Sequence, residues 1–164
     1  WRTGVLARSW VDCDRSAYPF PPSPACLAPD QVSFFGAVEF IRDSLPEDAR
    51  FLAVKAEPLW YYSGRRSVFY PIALGESEAG FLPYLRSEGV DWILLGSLQV
   101  SEPRRFAELV QANCAGLRLA GTVPPRTYLF ELRRDSAAAG EDLGACQAVA
   151  DYMEANVGRD FSTE

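Results

Sequence analysis

Helix-type and strand-type apolar patterns alternate along residues 33–133, and this alternation restricts the possible fold more strongly than any other feature of the sequence. Phe34, Val38 and Ile41 recur at helical spacing, and the next apolar run, Phe51–Lys55, has the length of a buried strand. Neighbouring parallel strands need a crossover connection, usually a helix, so such alternation is typical of a parallel sheet. We predict an α/β fold with an open, mainly parallel sheet that is flanked by helices on both faces.

The elements after the first strand continue this pattern. Pro124–Thr127 separates the last two strand-type runs, which predicts an antiparallel hairpin at the edge of the sheet. We expect Pro83 in the first turn of its helix, because a proline further inside removes a backbone hydrogen bond. The sequence predicts a short helix at Leu59–Ser63, a strand at Ser67–Tyr70, a helix through Phe81 and Leu85 that ends at Gly89, a strand at Val90–Leu95, a helix that begins at Ser101–Pro103, strands at Leu117–Val123 and Tyr128–Arg133, and a final helix from Leu143 to Val157.

A length of 164 residues suits one domain with a single hydrophobic core. The uncharged stretch Ser16–Pro29 contains many of the chain's twelve prolines and cannot form a continuous helix. We therefore predict an irregular, proline-rich segment at residues 1–32 that packs on a single three-layer α/β domain at residues 33–164. The chain begins with Trp1 and its only methionine is Met153, so we expect it to be a piece of a longer protein.

The composition excludes several classes of function. Sixteen basic residues against twenty-two acidic ones give a net charge of -6, and the basic residues are spread along the chain, so we expect no nucleic-acid partner. The chain has no histidine, which excludes a Ser-His-Asp triad, a Cys-His dyad and any histidine-ligated metal. No window approaches the roughly 20 apolar residues of a membrane span.

The four cysteines lack the close C-x2-4-C spacing of zinc sites and redox motifs. Three disulfide pairings are possible. We favour Cys13 with Cys26, because these residues bracket the proline-rich segment, and Cys114 would then pair with Cys146. The alternative is four reduced and buried thiols, since free cysteine behaves as a small apolar residue. Disulfides would indicate an oxidising compartment outside the cytoplasm.

Familiar catalytic motifs are absent or weak. No glycine cluster follows Phe51–Lys55, so a dinucleotide site there is not expected. Asp12 and Asp14 form a D-x-D pair of the kind that some nucleotide-sugar transferases use to hold a cation, but this spacing is common by chance. Ser77 lacks the glycine of a nucleophile elbow and a histidine to activate it, so it is interpreted as part of an exposed turn. We predict no catalytic residue, no metal ligand and no cofactor in this chain.

Charged and aromatic residues come together at the carboxyl end of the first predicted strand, where open α/β sheets place their crevices. The candidate binding residues are Glu57, Trp60, Tyr61, Arg65 and Arg66. An arginine could bind a phosphate or carboxylate, while Trp60 or Tyr61 could stack on a sugar ring or pack beside a cation. The structural alternative is that Leu59, Trp60 and Tyr62 fill the core beneath a short helix, while the arginines are solvated or pair with Glu57.

Three segments carry a resemblance to a known family. They are AVEFIRDSLPEDARFLAV at residues 37–54, LWYYSGRR at residues 59–66 and GVDWILLG at residues 89–96. In this order and spacing, residues 33–133 resemble the soluble C-terminal region of bacterial polytopic membrane glycosyltransferases, the C-type enzymes. These enzymes are related to protein O-mannosyltransferases and aminoarabinose transferases, and they use polyprenyl-phosphate sugars.

The resemblance implies an extracytoplasmic domain, periplasmic or at the cell surface, that follows a bundle of membrane helices in the same polypeptide. In such enzymes the catalytic carboxylate lies in loops between early membrane helices, so this domain is expected to be non-catalytic and to help position the acceptor or the lipid-linked donor. One alternative is a structural or interaction module of a membrane protein without transferase activity. A second is a cytosolic α/β enzyme that uses a nucleotide.

Overall fold

The computed structural model describes residues 27–69, 76–96, 104–133 and 143–156. The helices within these ranges are α1 (Pro29–Ser44), α2 (Ala56–Ser63), α3 (Glu78–Ser87), α4 (Arg104–Ala112) and α5 (Leu143–Asn156), with a 3-10 turn at Cys114–Gly116. The strands are β1 (Arg50–Ala53), β2 (Arg66–Phe69), β3 (Trp92–Leu95), β4 (Leu117–Val123) and β5 (Thr127–Leu132). No helix within the described ranges is long and apolar enough to cross a membrane.

The strands of the described residues form one sheet in the order β2-β1-β3-β5-β4. β1 lies between β2 and β3 and pairs with both in parallel. β5 runs antiparallel to β3 and to β4, which places the hairpin at one edge of the sheet. The predicted α/β fold class is therefore confirmed, including the parallel strands and the antiparallel edge hairpin.

Helices cover both faces of this sheet. Successive strand residues point to opposite faces, so Phe51 and Leu94 join one apolar core while Leu52 and Ile93 join the other. The first core lies beneath α1 and α2, and the second lies beneath α3, α4 and α5. Because both faces of the central strands are covered, β1 and β3 contain continuous buried apolar runs, whereas β4 at the edge of the sheet alternates between more and less exposed positions.

The position of Pro83 differs from the sequence-based prediction. The Ser77 side chain caps α3 by accepting a hydrogen bond from the Gly80 backbone N–H at 3.1 Å, so the helix begins at Glu78 and Pro83 lies inside it. The prediction of a first-turn proline was wrong because the capping serine sets the start of the helix one turn earlier. Gly89 adopts φ +67°, a conformation that favours glycine, directly after the end of the helix.

Cys114 and Cys146 form a disulfide with their Cα atoms 4.9 Å apart, as predicted. The bond joins the 3-10 turn that precedes β4 to the first part of α5. Other predictions fall outside the described residues: a Cys13–Cys26 disulfide, the D-x-D pair Asp12 and Asp14, the irregular segment as far as Cys26 and a helix start at Ser101–Pro103.

A buried pair of hydroxyl groups joins α1 to the start of β5. The Oγ atom of Ser33 lies 2.6 Å from Oγ1 of Thr127, and both residues are almost completely buried. Replacing Thr127 with valine keeps the shape but leaves the Ser33 hydroxyl with one partner fewer. We expect Thr127→Val to lower the free energy of unfolding by about 1–2 kcal/mol, because a buried polar group without its partner is costly.

Urea unfolding monitored by circular dichroism measures this change. Thr122→Val is the matched control, because Thr122 lies on β4 and is exposed. We expect the control to stay within about 0.5 kcal/mol of the original chain. Equal midpoints for the two variants would contradict a stabilising role for the Ser33–Thr127 contact.

Candidate functional site

An open groove of about 410 Å³ lies where α2 meets β2, which is the last strand on its side of the sheet within the described residues. Two of its residues are arginines from the starts of adjacent strands, and the others are a carboxylate, an indole, a hydroxyl and a small apolar side chain. The lining residues are Arg50, Ala56, Glu57, Trp60, Arg66 and Ser67. This groove is the candidate functional site.

The unit β1-α2-β2 positions the groove. Leu59 is completely buried and holds α2 against the sheet. Gly64 ends the helix with φ +70°, a left-handed conformation that lets the chain turn sharply into β2. The parallel register then places Arg66 directly beside Arg50 on the neighbouring strand. One short helix and one tight turn therefore bring residues 50 and 66 to a common surface.

The groove has an excess of positive charge. Arg50 donates hydrogen bonds from its side chain to the Glu88 backbone carbonyl and from its backbone N–H to the Asp91 carboxylate. Arg66 and Glu57 are exposed, and neither forms an ion pair within the described residues. Two guanidinium groups against one carboxylate make this a local cationic site in a chain whose net charge is -6.

Aromatic surface flanks this charge. Trp60 is 58% exposed and Tyr61 is 72% exposed, although large aromatic side chains are usually more buried than this. Trp60 lines the groove, whereas Tyr61 packs edge-to-face on Tyr62 with ring centroids 4.9 Å apart. Tyr62 in turn contacts Phe35 of α1 in the same geometry. Tyr62 thus packs against the core, as the structural alternative predicts, whereas Trp60 and Tyr61 have most of their surface exposed to solvent.

Arg65 has a structural position, in contrast to its neighbour Arg66. Arg65 is only 8% exposed, and its Nη2 donates to the backbone carbonyls of Arg42 and Leu45, each at 2.8 Å. These carbonyls belong to the last turn of α1 and the residue after it, where backbone acceptors lack helical partners. Arg65 therefore caps α1 and does not line the groove.

Four of the five candidate residues are accounted for at the surface: Glu57, Trp60 and Arg66 line the groove, and Tyr61 lies beside it. The predicted crevice was at the carboxyl end of β1. The groove extends beyond it to the opposite end of the strands, because Arg50 and Arg66 are the first residues of β1 and β2. Sequence reasoning missed Arg50 and Ser67. The pairing of β1 with β2 would have identified Arg50, but its register does not follow from the sequence.

The arrangement is suited to binding a ligand that carries an anion and a ring. Arginines can hold an anion, and an indole can support a ring. Among the described residues, no cluster of three or more cysteine and acidic side chains could hold a metal ion. No protein-family model matches this chain, and no curated protein matches it either.

Proposed function

We propose that this chain is the extracytoplasmic domain of a polytopic membrane glycosyltransferase that uses a polyprenyl-phosphate sugar. In this proposal the domain carries no catalytic residue and helps to position the acceptor or the lipid-linked donor. The observation that carries the proposal is the groove, where the exposed Trp60 indole lies beside Arg50, Arg66 and Glu57. Exposed indole and guanidinium groups are the side chains that recognise sugar rings and anions.

Two further observations support it. The Cys114–Cys146 disulfide is typical of proteins outside the cytoplasm, because cytosolic thiols are kept reduced. The three segments that resemble the glycosyltransferase region also form one contiguous unit, since they comprise much of α1, all of β1 and β3, and the turn from α2 into β2. The disulfide favours this proposal over a cytosolic enzyme that uses a nucleotide.

The proposal is tested in the full-length membrane protein. We expect Trp60→Ala and Arg66→Ala each to lower kcat/KM for sugar transfer about tenfold. Each variant removes one contact between the groove and the substrate, while the other contacts still position the substrate. The assay measures transfer from a polyprenyl-phosphate sugar in membranes. Phe40→Ala and Arg104→Ala are the controls, because they remove an exposed aromatic and an exposed arginine outside the groove. Unchanged transfer in both groove variants would contradict the proposal.

The second candidate is an interaction module without transferase activity. It is favoured by Trp60 and Tyr61, which project from the same short helix and together resemble the aromatic anchors of protein interfaces. The two candidates differ in the full-length protein. Absence of any transfer activity, with Trp60→Ala releasing a bound partner protein, would favour the interaction module.

A further inference from the structure

We infer that the groove binds a sugar ring that carries an anionic group, either a phosphate or a carboxylate. This inference rests on the proposed function and deepens it, because it names the class of ligand that the same groove binds. Four side chains on one surface of the groove carry it: Arg50, Glu57, Trp60 and Arg66.

The anion is indicated by the two arginines. Arg50 and Arg66 are register partners on adjacent parallel strands, so their Cα atoms lie about 4.8 Å apart, and both residues line the groove. Glu57 is the single acidic residue of the groove lining within the described part of the chain. An anion bound in the groove would accept charge-assisted hydrogen bonds from the guanidinium groups of both strands. Arg50 is already held by the Glu88 carbonyl, which lowers the cost of ordering it.

The ring is indicated by Trp60, whose indole is 58% exposed at the wall of the groove. A flat apolar surface of this kind matches the C–H face of a sugar ring, and burying the two surfaces against each other is favourable. The other aromatic residues of α2 do not offer this platform. Tyr62 is engaged by Phe35, and Tyr61 lies outside the groove lining.

The polar groups favour a polyhydroxylated ring over an aromatic acid. Glu57 can accept hydrogen bonds from ring hydroxyls, whereas an aromatic acid would leave this carboxylate facing apolar atoms or a like charge. The Ser67 Oγ atom lies beneath the groove surface and has no hydrogen-bond partner within the described residues. A buried hydroxyl without a partner is uncommon, and a ligand hydroxyl reached by a rotation of the serine side chain would satisfy it.

The test is an NMR titration of the 164-residue chain, monitored at the indole N–H signal of Trp60. The signal is assigned by its loss in Trp60→Phe. The probes are glucose 6-phosphate, glucuronic acid, glucose and inorganic phosphate. We expect both anionic sugars to shift the signal saturably, with dissociation constants at least about tenfold lower than those of glucose or phosphate, because only the anionic sugars use both parts of the groove. Stronger binding of glucose 6-phosphate than of glucuronic acid would identify phosphate as the preferred anion.

Variants separate the two parts of the groove. We expect Arg66→Gln to weaken binding of glucose 6-phosphate about tenfold, and Arg104→Gln, at an exposed arginine outside the groove, to leave it unchanged. Circular dichroism checks that each variant is folded. The inference is overturned if the anionic sugars cause no saturable shift, or if Arg66→Gln binds them as the original chain does. Binding by this chain together with unchanged transfer by both full-length variants, Trp60→Ala and Arg66→Ala, would overturn the proposed function alone.

Discussion

Replacing both Cys114 and Cys146 with serine is expected to lower the free energy of unfolding by about 4 kcal/mol, because the disulfide closes a loop of 32 residues in the unfolded chain. The bond also fixes α5 at its amino-terminal end. Val149 and Tyr152 of this helix are buried against the sheet, and Tyr152 packs edge-to-face on Tyr128 with ring centroids 6.0 Å apart. Without the bond, α5 depends on apolar packing of this kind to stay against the strands.

Urea unfolding of the double variant, followed by circular dichroism, measures the effect. Both cysteines are replaced together so that no unpaired thiol remains from this bond. We expect a lower midpoint and a loss of helical signal from α5 before the main transition, because the helix has lost its covalent attachment. A double variant as stable as the original chain would contradict the prediction. Peptide mapping without reduction tests the Cys13–Cys26 pairing in the same preparation.

The second large effect is expected for Arg65→Ala, which should lower the free energy of unfolding by about 2–3 kcal/mol. The substitution removes the cation that donates to the carbonyls of Arg42 and Leu45 at the end of α1. Hydrogen bonds to charged groups contribute more than neutral ones, and a cation at a helix C-terminus also interacts favourably with the helix dipole. Part of the stabilisation by Arg65 is offset, because its buried Nε atom has no hydrogen-bond partner within the described residues.

Arg66→Ala is the matched control, since it removes the same side chain one residue later at an exposed position. We expect this control to change stability by less than about 0.5 kcal/mol. Thermal unfolding of the two variants under identical conditions compares them directly. Equal losses of stability, or a greater loss for the control, would show that the capping role assigned to Arg65 is wrong.

Much of the fold could be predicted because its elements leave local signals in the sequence. Phe34, Val38 and Ile41 mark α1 by their helical spacing, and all three are buried in the structure. The run at Trp92–Leu95 is apolar throughout because both faces of the sheet are covered. Pro83 was misplaced because the capping contact of Ser77, rather than the proline itself, sets the start of α3.

The site was less accessible to sequence reasoning, as Arg65 and Arg66 show. They are identical neighbours, yet one is buried against α1 and the other faces the groove. Successive residues of an extended segment point to opposite sides, but the sequence pattern does not say which of the two arginines turns toward α1. Arg50 is separated from Arg66 by a whole helix, and only the pairing of β1 with β2 brings them together. The presence of a charged aromatic surface could be predicted from the sequence, but the residues that form it could not.

The groove and the disulfide stand at opposite ends of the strand order, beside β2 and β4 respectively. Four inter-strand spacings separate them, roughly 19 Å. Substitutions at that distance, with no shared partners, change stability independently of each other. The disulfide beside β4 thus adds to the free energy of unfolding, and a destabilising substitution in the groove beside β2 does not remove that contribution. Substitutions at the exposed groove residues Glu57, Trp60 and Arg66 can therefore change ligand preference with little loss of stability.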